Sequence, residues 1–353
     1  MNTTMKAVTL LSPGELSLQE REIPVCSDGE VLIRTAYCGI CGSDVGIVYS
    51  GAKTYPLVLG HEFTGSVVAV GNEQDASLIG ASVTAYPIIA CGVCPQCKNA
   101  DYTKCANYNF VGSRCDGAYA EYVKVPRENI IVLNGISPLD GVLIEPLAVG
   151  VHAVNRAGRE RLERCVIIGA GTIGLMTAMA CRICGAKEVL LIDLDENKLR
   201  FAEQLGFCVV NSACVNPVDA VGTQYPQGAT AIFECTGVAA VLPPAIEYAA
   251  PDAAVVLVGM IKKDVVLPPT ALRSIMKKEI DLTGSWVSNY DTNGESDWST
   301  AMSAIADGLI RPGDFIASII SQDEIAESLR EMHEHPSKTR KIVIDYTTGR
   351  KQE

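Results

Sequence analysis

Val166-Ile167-Ile168-Gly169-Ala170-Gly171-Thr172-Ile173-Gly174 is the stretch that decides the fold. Its three β-branched apolar residues read as a buried strand, and the apolar run beyond Gly174 reads as a helix. A G-x-G-x-x-G pattern between a strand and a helix is the setting in which those glycines carry meaning. Gly169 permits a tight turn, Gly171 lets backbone approach a pyrophosphate, and Gly174 lets the helix pack closely. Thr172 and Ile173 open the helix, whose N-terminus faces the phosphates of such a ligand. The next strand, Val189-Leu190-Leu191-Ile192-Asp193, ends 19 residues past Gly174. That is close to the spacing of about 20 at which a carboxylate takes the adenosine ribose. Asp193 would also repel the extra phosphate of NADP, and Leu194-Asp195-Glu196 supply no nearby cation, so NAD is the expected cofactor. A strand-end or helix-capping role is the alternative for Asp193.

Outward from this stretch, strand and helix alternate. Arg164–Gly169, Glu188–Asp193, Ala231–Glu234 and Ala254–Val258 read as strands, Ile173–Cys184 and Asn197–Leu205 as helices. Alternation predicts a doubly wound parallel sheet, an α/β Rossmann domain over 151–289. Upstream lie short strand-like runs punctuated by Gly, Pro and Asp: Lys6–Leu10, Glu30–Ala36, Gly65–Val70, Ser82–Ile89 and Tyr119–Val125. They predict a mainly β barrel or sandwich. Asp281–Ser288 and Thr339–Tyr346 look strand-like again and are expected to return to that first domain. The layout is then 1–150 with 290–353 as one domain and 151–289 as the other. Thr347–Glu353 reads as a loose tail.

The chain of 353 residues has 41 acids against 29 bases, a net charge of −12. That balance gives no electrostatic reason to bind nucleic acid or an anionic membrane. The N-terminal residues lack a signal peptide's apolar run, and no stretch reaches the 18 apolar residues of a membrane span. A cytoplasmic protein with reduced thiols is expected.

Four of the 14 cysteines, Cys91, Cys94, Cys97 and Cys105, form C-x2-C-x2-C-x7-C. Thiolates so spaced can surround one tetrahedral zinc, and four protein ligands leave no open position, so this zinc is structural. A second set is scattered: Cys38-Gly39-Ile40-Cys41-Gly42-Ser43-Asp44, His61-Glu62, and Glu145 inside the apolar run Leu143–Leu147. A thiolate, an imidazole and a carboxylate with water make a catalytic zinc site. Either Cys38 or Cys41 can be its thiolate, and both can be core thiols. Ser43 is a hydroxyl able to relay a proton or to cap a turn, and Glu145 is a ligand or a helix-start carboxylate before Pro146. Cys165, Cys181, Cys184, Cys208 and Cys214 read as core thiols, His152 as a packing residue, and His333 and His335 as surface residues.

Knuckle, scattered ligands and nucleotide fingerprint in this order resemble the zinc-containing medium-chain dehydrogenases along nearly the whole chain. The resemblance implies a GroES-like barrel catalytic domain, with a zinc lobe at 91–105, interrupted by the Rossmann domain. It implies two zinc ions per subunit and NAD. It assigns Cys41 rather than Cys38 as catalytic thiolate, His61 as imidazole ligand, and Glu62 and Glu145 as carboxylates that bind the zinc or hold its water. Ser43 matches the hydroxyl that passes the proton outward, and Glu234-Cys235-Thr236-Gly237 the turn by the nicotinamide ribose, which puts Thr236 among the cofactor residues. Glu145-Pro146-Leu147 points to the polyol branch. Phe110–Arg114 and Gly284–Trp286 point to polyol phosphates such as galactitol 1-phosphate, with Arg114 a candidate cation for the phosphate. Free sorbitol, xylitol, an inositol or L-threonine are the alternative substrates. A zinc-stapled NAD-binding sensor is the reading from another class, and a homodimer or homotetramer is expected.

Overall fold

The computed structural model describes residues 3–291, 295–335 and 340–348. The chain forms two compact units, Met1–Glu145 with Tyr290–Thr292 and Ile305–Glu353, and Pro146–Asn289 with Asn293–Ala304. The expected division, by contrast, lay at 150/151 and 289/290 and kept the whole of 290–353 with the first domain.

In the first unit, seven strands form one sheet. Its path runs Ile130–Val132, Ser82–Ala85, Glu62–Val70, Glu30–Gly39, Lys341–Asp345 and Ile316–Ile320, with Tyr122–Pro126 also pairing Glu30–Gly39. A second sheet of three strands orders as Glu15–Glu22, Thr4–Ser12 and Leu57–Val58. The alternation in Met5, Ala7 and the Val8–Leu10 run turns one face inward, and Ile33, Phe63, Val67, Tyr119 and Ile344 pack in the same core. The run expected as one strand at Ser82–Ile89 is two, because Tyr86 and Pro87 interrupt it and Pro87 has no N–H for a ladder. Ile88–Ile89 pairs instead with Asn109–Phe110.

In the second unit, six parallel strands order as Cys208–Asn211, Glu188–Asp193, Arg164–Ile168, Ala229–Glu234, Ala249–Leu257 and Asp281–Gly284. Strand order reverses at Arg164–Ile168, so the loop after it opens at the point where doubly wound sheets bind ligands. Helix Thr172–Ile183 buries eight of its 12 residues, Gly174 through Cys181. Within the core, Val166, Ile168, Leu190, Ile192, Ile232 and Val255 pack together.

Two expectations need correction. Asp281–Gly284 does not return to the first unit: it extends the parallel sheet beside Ala249–Leu257, and only Lys341–Asp345 comes back, against Glu30–Gly39. A run of four residues can pair with either sheet, and periodicity carries no sign of which. Thr339 and residues 349–353 lie outside the described residues. Cys208 and Cys214 are exposed rather than core, since Cys208 opens the outermost strand of the sheet, and Cys184 is half-buried. Cys165 and Cys181 are buried. His152 packs within its unit through Nδ1, 2.8 Å from Asp297 Oδ2. His333 and His335 are exposed, the former stacked on Tyr49.

Among the described residues no helix is long and apolar enough to cross a membrane.

Candidate active site and nucleotide loop

Cys41 is the N-cap of helix Gly42–Ser50. Its sulfur faces the Ser43 N–H at 3.5 Å, and its own N–H donates to Asp44 Oδ2 at 3.0 Å. This reciprocal capping fixes the direction in which the thiol leaves the backbone. His61 and Glu62 enter from the start of strand Glu62–Val70, after Gly60. Gly60 has φ +94°, and a Cβ there would lie 2.5 Å from the Tyr119 ring. A side chain at 60 would therefore move His61.

The ligand atoms of Cys41, His61 and Glu62 all lie within 4.8 Å of one another. His61 and Glu62 are buried and Cys41 half-buried. Phe110 meets the His61 ring edge-on at 5.5 Å. Cys38 takes no part: it is fully buried on strand Glu30–Gly39, where burial raises its thiol well above the usual range. Ser43 is exposed in the first helical turn. Glu145 is buried in the first turn of helix Ile144–Ala157, outside the three-residue group but close enough to feel its charges. Burial pushes its carboxyl up, the His61 charge pulls it down, and Glu62 adds to the rise, leaving it at about 7.

Three further residues shape the site, and the sequence reading assigned none of them. Asp44, fully buried, accepts from the Tyr119 hydroxyl at 2.7 Å. Its Oδ1 stands 3.5 Å from His61 Nδ1, an ion-pair separation without hydrogen-bond alignment. Burial lowers the His61 proton affinity, but the Asp44 charge more than reverses this, so the metal-free imidazole holds its proton well above the usual pH. Lys341, also buried, donates to Glu62 Oε2 at 2.5 Å and to the Ile40 carbonyl at 3.1 Å. The visible signals were an acid three residues after Cys41 and a lysine heading the apolar run Ile342–Ile344.

This donor set suits zinc. Sulfur, nitrogen and oxygen are its borderline and harder ligands. Glu62 Oε1 is buried without a hydrogen-bond partner among the described residues, a cost that a cation would remove.

The knuckle also converges: Cys94 and Cys97 sulfurs are 3.4 Å apart, those of Cys91 and Cys97 3.9 Å, and the Cys91 N–H points to the Cys105 sulfur at 3.3 Å. A tetrahedron with zinc–sulfur bonds of about 2.3 Å has edges of roughly 3.8 Å, so these sulfurs already stand near ligand spacing. The Cys97 N–H holds the Cys94 thiol down to about 6, whereas burial pushes Cys97 up to about 12. Arg114 stacks on the Tyr108 ring at 3.8 Å and donates to the Tyr108 carbonyl, so its guanidinium is engaged.

In the second unit, Gly169 has φ +99°, and a Cβ on it would lie 2.7 Å from Thr236 Cγ2. Thr236 is held by Glu234, whose Oε1 accepts from the Thr236 N–H, the Thr236 hydroxyl and the Gly237 N–H. Asp193 Oδ2 accepts from Ala170 N–H at 2.7 Å, while Oδ1 accepts from Leu194 and Asp195. Asp193 thus ties the glycine loop to the neighbouring strand end. The helix cap is Asp195.

Gly171 and Gly174 differ in what they permit. A Cβ on Gly174 would lie 1.8 Å from the Gly169 carbonyl oxygen, whereas one on Gly171 meets nothing within 4 Å. Gly174→Ala is expected to cost about 1–3 kcal/mol and lower the Tm by several degrees in a thermal melt. Gly171→Ala is expected to keep the Tm, because a methyl group there meets nothing, and to weaken dinucleotide affinity measured by calorimetry, as the expected approach of a pyrophosphate to that backbone requires. Equal melts for both variants would refute the distinction.

These features define a two-unit dehydrogenase, and comparison with known proteins agrees. Residues 27–135 match the alcohol dehydrogenase GroES-like domain and residues 172–307 the zinc-binding dehydrogenase domain. The chain belongs to the family of zinc-type, NAD(P)-linked alcohol and polyol dehydrogenases. Among individual proteins it is similar to galactitol 1-phosphate 5-dehydrogenase of Escherichia coli K12, 34% identical over 333 residues, covering 93% of this chain and 96% of that one. The crystal structure of galactitol-1-phosphate dehydrogenase from Escherichia coli superposes with a TM-score of 0.88 at 32% identity, over 97% of this chain and 100% of that one. A zinc-binding dehydrogenase from Sinorhizobium meliloti 1021, with NADP bound, gives a TM-score of 0.87 at 30% identity, over 98% and 100%.

Proposed function

We propose that the protein oxidises a secondary alcohol of a polyol or polyol phosphate to a ketose with NAD, and catalyses the reverse reduction. The observation that carries the proposal is the Cys41–His61–Glu62 group with its unpartnered carboxylate oxygen. Likeness to a galactitol 1-phosphate dehydrogenase over most of the chain favours a galactitol 1-phosphate-like substrate.

Cys41, His61 and Glu62 would hold the catalytic zinc, with Glu145 exchanging for Glu62 or holding water. When bound, zinc supplies a Lewis acid for the alcohol oxygen and NAD supplies the hydride acceptor. Ser43, exposed beside Cys41, takes the hydroxyl proton outward. Asp44 orients His61 from behind. Gly169, Gly171, Thr172, Ile173 and Gly174 cradle the pyrophosphate at the helix N-terminus. Asp193 Oδ2, with one lone pair beyond its bond to Ala170, accepts from the adenosine ribose and disfavours a 2′-phosphate. Thr236 lies on the turn assigned to the nicotinamide ribose. The four knuckle cysteines hold a second, structural zinc, and the protein works as a homodimer or homotetramer.

NADH formation at 340 nm with galactitol 1-phosphate, sorbitol, xylitol, an inositol and L-threonine, with NAD and NADP compared and with and without chelator, tests the reading. Chelator-sensitive turnover of one polyol with NAD is expected. No turnover on any of these, in protein carrying two zincs, would overturn the substrate class. A single zinc per chain with no turnover would favour the NAD-binding sensor.

A further inference from the structure

Glu62 reaches Lys341 across an intervening strand. Glu62 pairs with Gly39 on the central strand Glu30–Gly39, and Gly39 in turn pairs with Val343 on the strand that Lys341 opens. A Cβ at position 39 would stand 2.3 Å from Glu62 Oε2 and 3.3 Å from Glu62 Cβ. The missing side chain of Gly39 is therefore the opening through which the carboxylate crosses. At its far end Lys341 Nζ, 2% exposed at the side chain, takes Oε2 at 2.5 Å and the Ile40 carbonyl at 3.1 Å. Oε1 of the same carboxylate is buried and has no hydrogen-bond partner among the described residues.

We infer that Lys341 is a positioning residue of the metal site: it occupies one oxygen of Glu62 so that the other is presented, singly, to the metal beside Cys41 and His61. The inference rests on the zinc site proposed above. One observation and two physical arguments support a positioning role over a purely structural one. An ammonium in the core needs only an anion and a carbonyl, both supplied here, and nothing in that need requires the anion to be a ligand-group residue. The atoms nearest a Cβ at Gly39 are the Glu62 carboxylate at 2.3 Å and Val142 Cγ1 at 3.0 Å, not the lysine stem. A carboxylate with both oxygens free can swing or bind through two atoms, whereas one fixed at Oε2 offers one oxygen in one direction.

The test is zinc release into a chromophoric chelator from wild type, Cys41→Ala, Lys341→Met, Glu62→Gln and the double variant Lys341→Met/Glu62→Gln. Wild type should show one release phase that Cys41→Ala lacks and a second from the knuckle. Lys341→Met is expected to speed the first phase about tenfold or more, the scale found when a group supporting a metal ligand is lost. The knuckle phase should not change, which shows that the effect is local to the first site; an unchanged melt checks the barrel. In the double variant the first phase should be no faster than in Glu62→Gln alone, because Lys341 acts through Glu62. Gly39→Ala approaches the same carboxylate from the other side and should also speed the first phase, which keeps the test open if Lys341→Met does not fold. Cobalt-loaded Lys341→Met should show a changed visible spectrum. An unchanged first phase in Lys341→Met, or effects that multiply in the double variant, would overturn the inference. Equal zinc release from wild type and Cys41→Ala would overturn the metal site itself.

Discussion

Cys41→Ala is expected to lose turnover by about a thousandfold or more, with one zinc fewer per chain. A metal Lewis acid contributes several kcal/mol to the transition state of a carbonyl reaction, and each 1.36 kcal/mol is a factor of ten. Among the described residues, no other side chain beside the proposed site is placed to replace the sulfur. Cys38 is turned into the core, where burial keeps its thiol protonated, and it is outside the ligand group. Glu145 is a weak substitute, since near neutral pH part of it stays protonated in the metal-free site. The measurement is kcat/KM with NAD and the best polyol beside zinc per chain by elemental analysis. The variant retains the helix Gly42–Ser50, because Asp44 still accepts from the backbone N–H of residue 41. Loss of activity therefore reports the metal and not the fold. Wild-type turnover in this variant would remove the proposed chemistry altogether.

Cys97→Ser gives the second large effect, on stability instead of rate. Cys97 is the buried member of the Cys91–Cys94–Cys97 sulfur cluster. Structural zinc contributes on the order of 10–16 kcal/mol in small zinc-bound peptides, so one thiolate in four corresponds to about 3 kcal/mol. For a unit of this size that lowers the Tm by roughly 6–12 °C. The segment between the cysteines has little else to hold it: α-helix Pro95–Lys98 has four residues and Val93 is exposed. Differential scanning calorimetry with zinc analysis checks the outcome. A melt equal to wild type, with two zincs retained, would show that the knuckle needs only three thiolates.

The fold was legible where periodicity and spacing are local. The glycine stretch at 169–174 announced its own turn, helix and sheet, because Gly174 answers to the Gly169 carbonyl five residues before it and Gly169 to Thr236 after the neighbouring strand, while Gly171 borders open space. The knuckle was legible for the same reason, with its four ligands inside one short segment. The zinc group was only half legible. The residues alone left Cys38 and Cys41 both open and only the family resemblance preferred Cys41, because the choice depends on which side chain leaves the strand end toward His61 and Glu62; in the structure that is Cys41, the helix cap. The role of Lys341 was not legible: the lysine heading an apolar run is visible, but it reads as a solvated strand end, and its partner lies 279 residues away. Asp281–Gly284 was misplaced because a four-residue strand carries too little pattern to name its neighbour. The exposed Cys208 was misread because burial of an edge strand is fixed by sheet order, which residue type does not encode.

The contact between Glu62 and Lys341 also sets an order of events in synthesis. A chain leaving the ribosome has its knuckle cysteines together soon after Cys105 emerges. The carboxylate at 62 waits for a lysine 279 positions later. The two sites are therefore completed at well-separated stages of translation, and a nascent chain arrested between them would mature one site and leave the other without its final anchor.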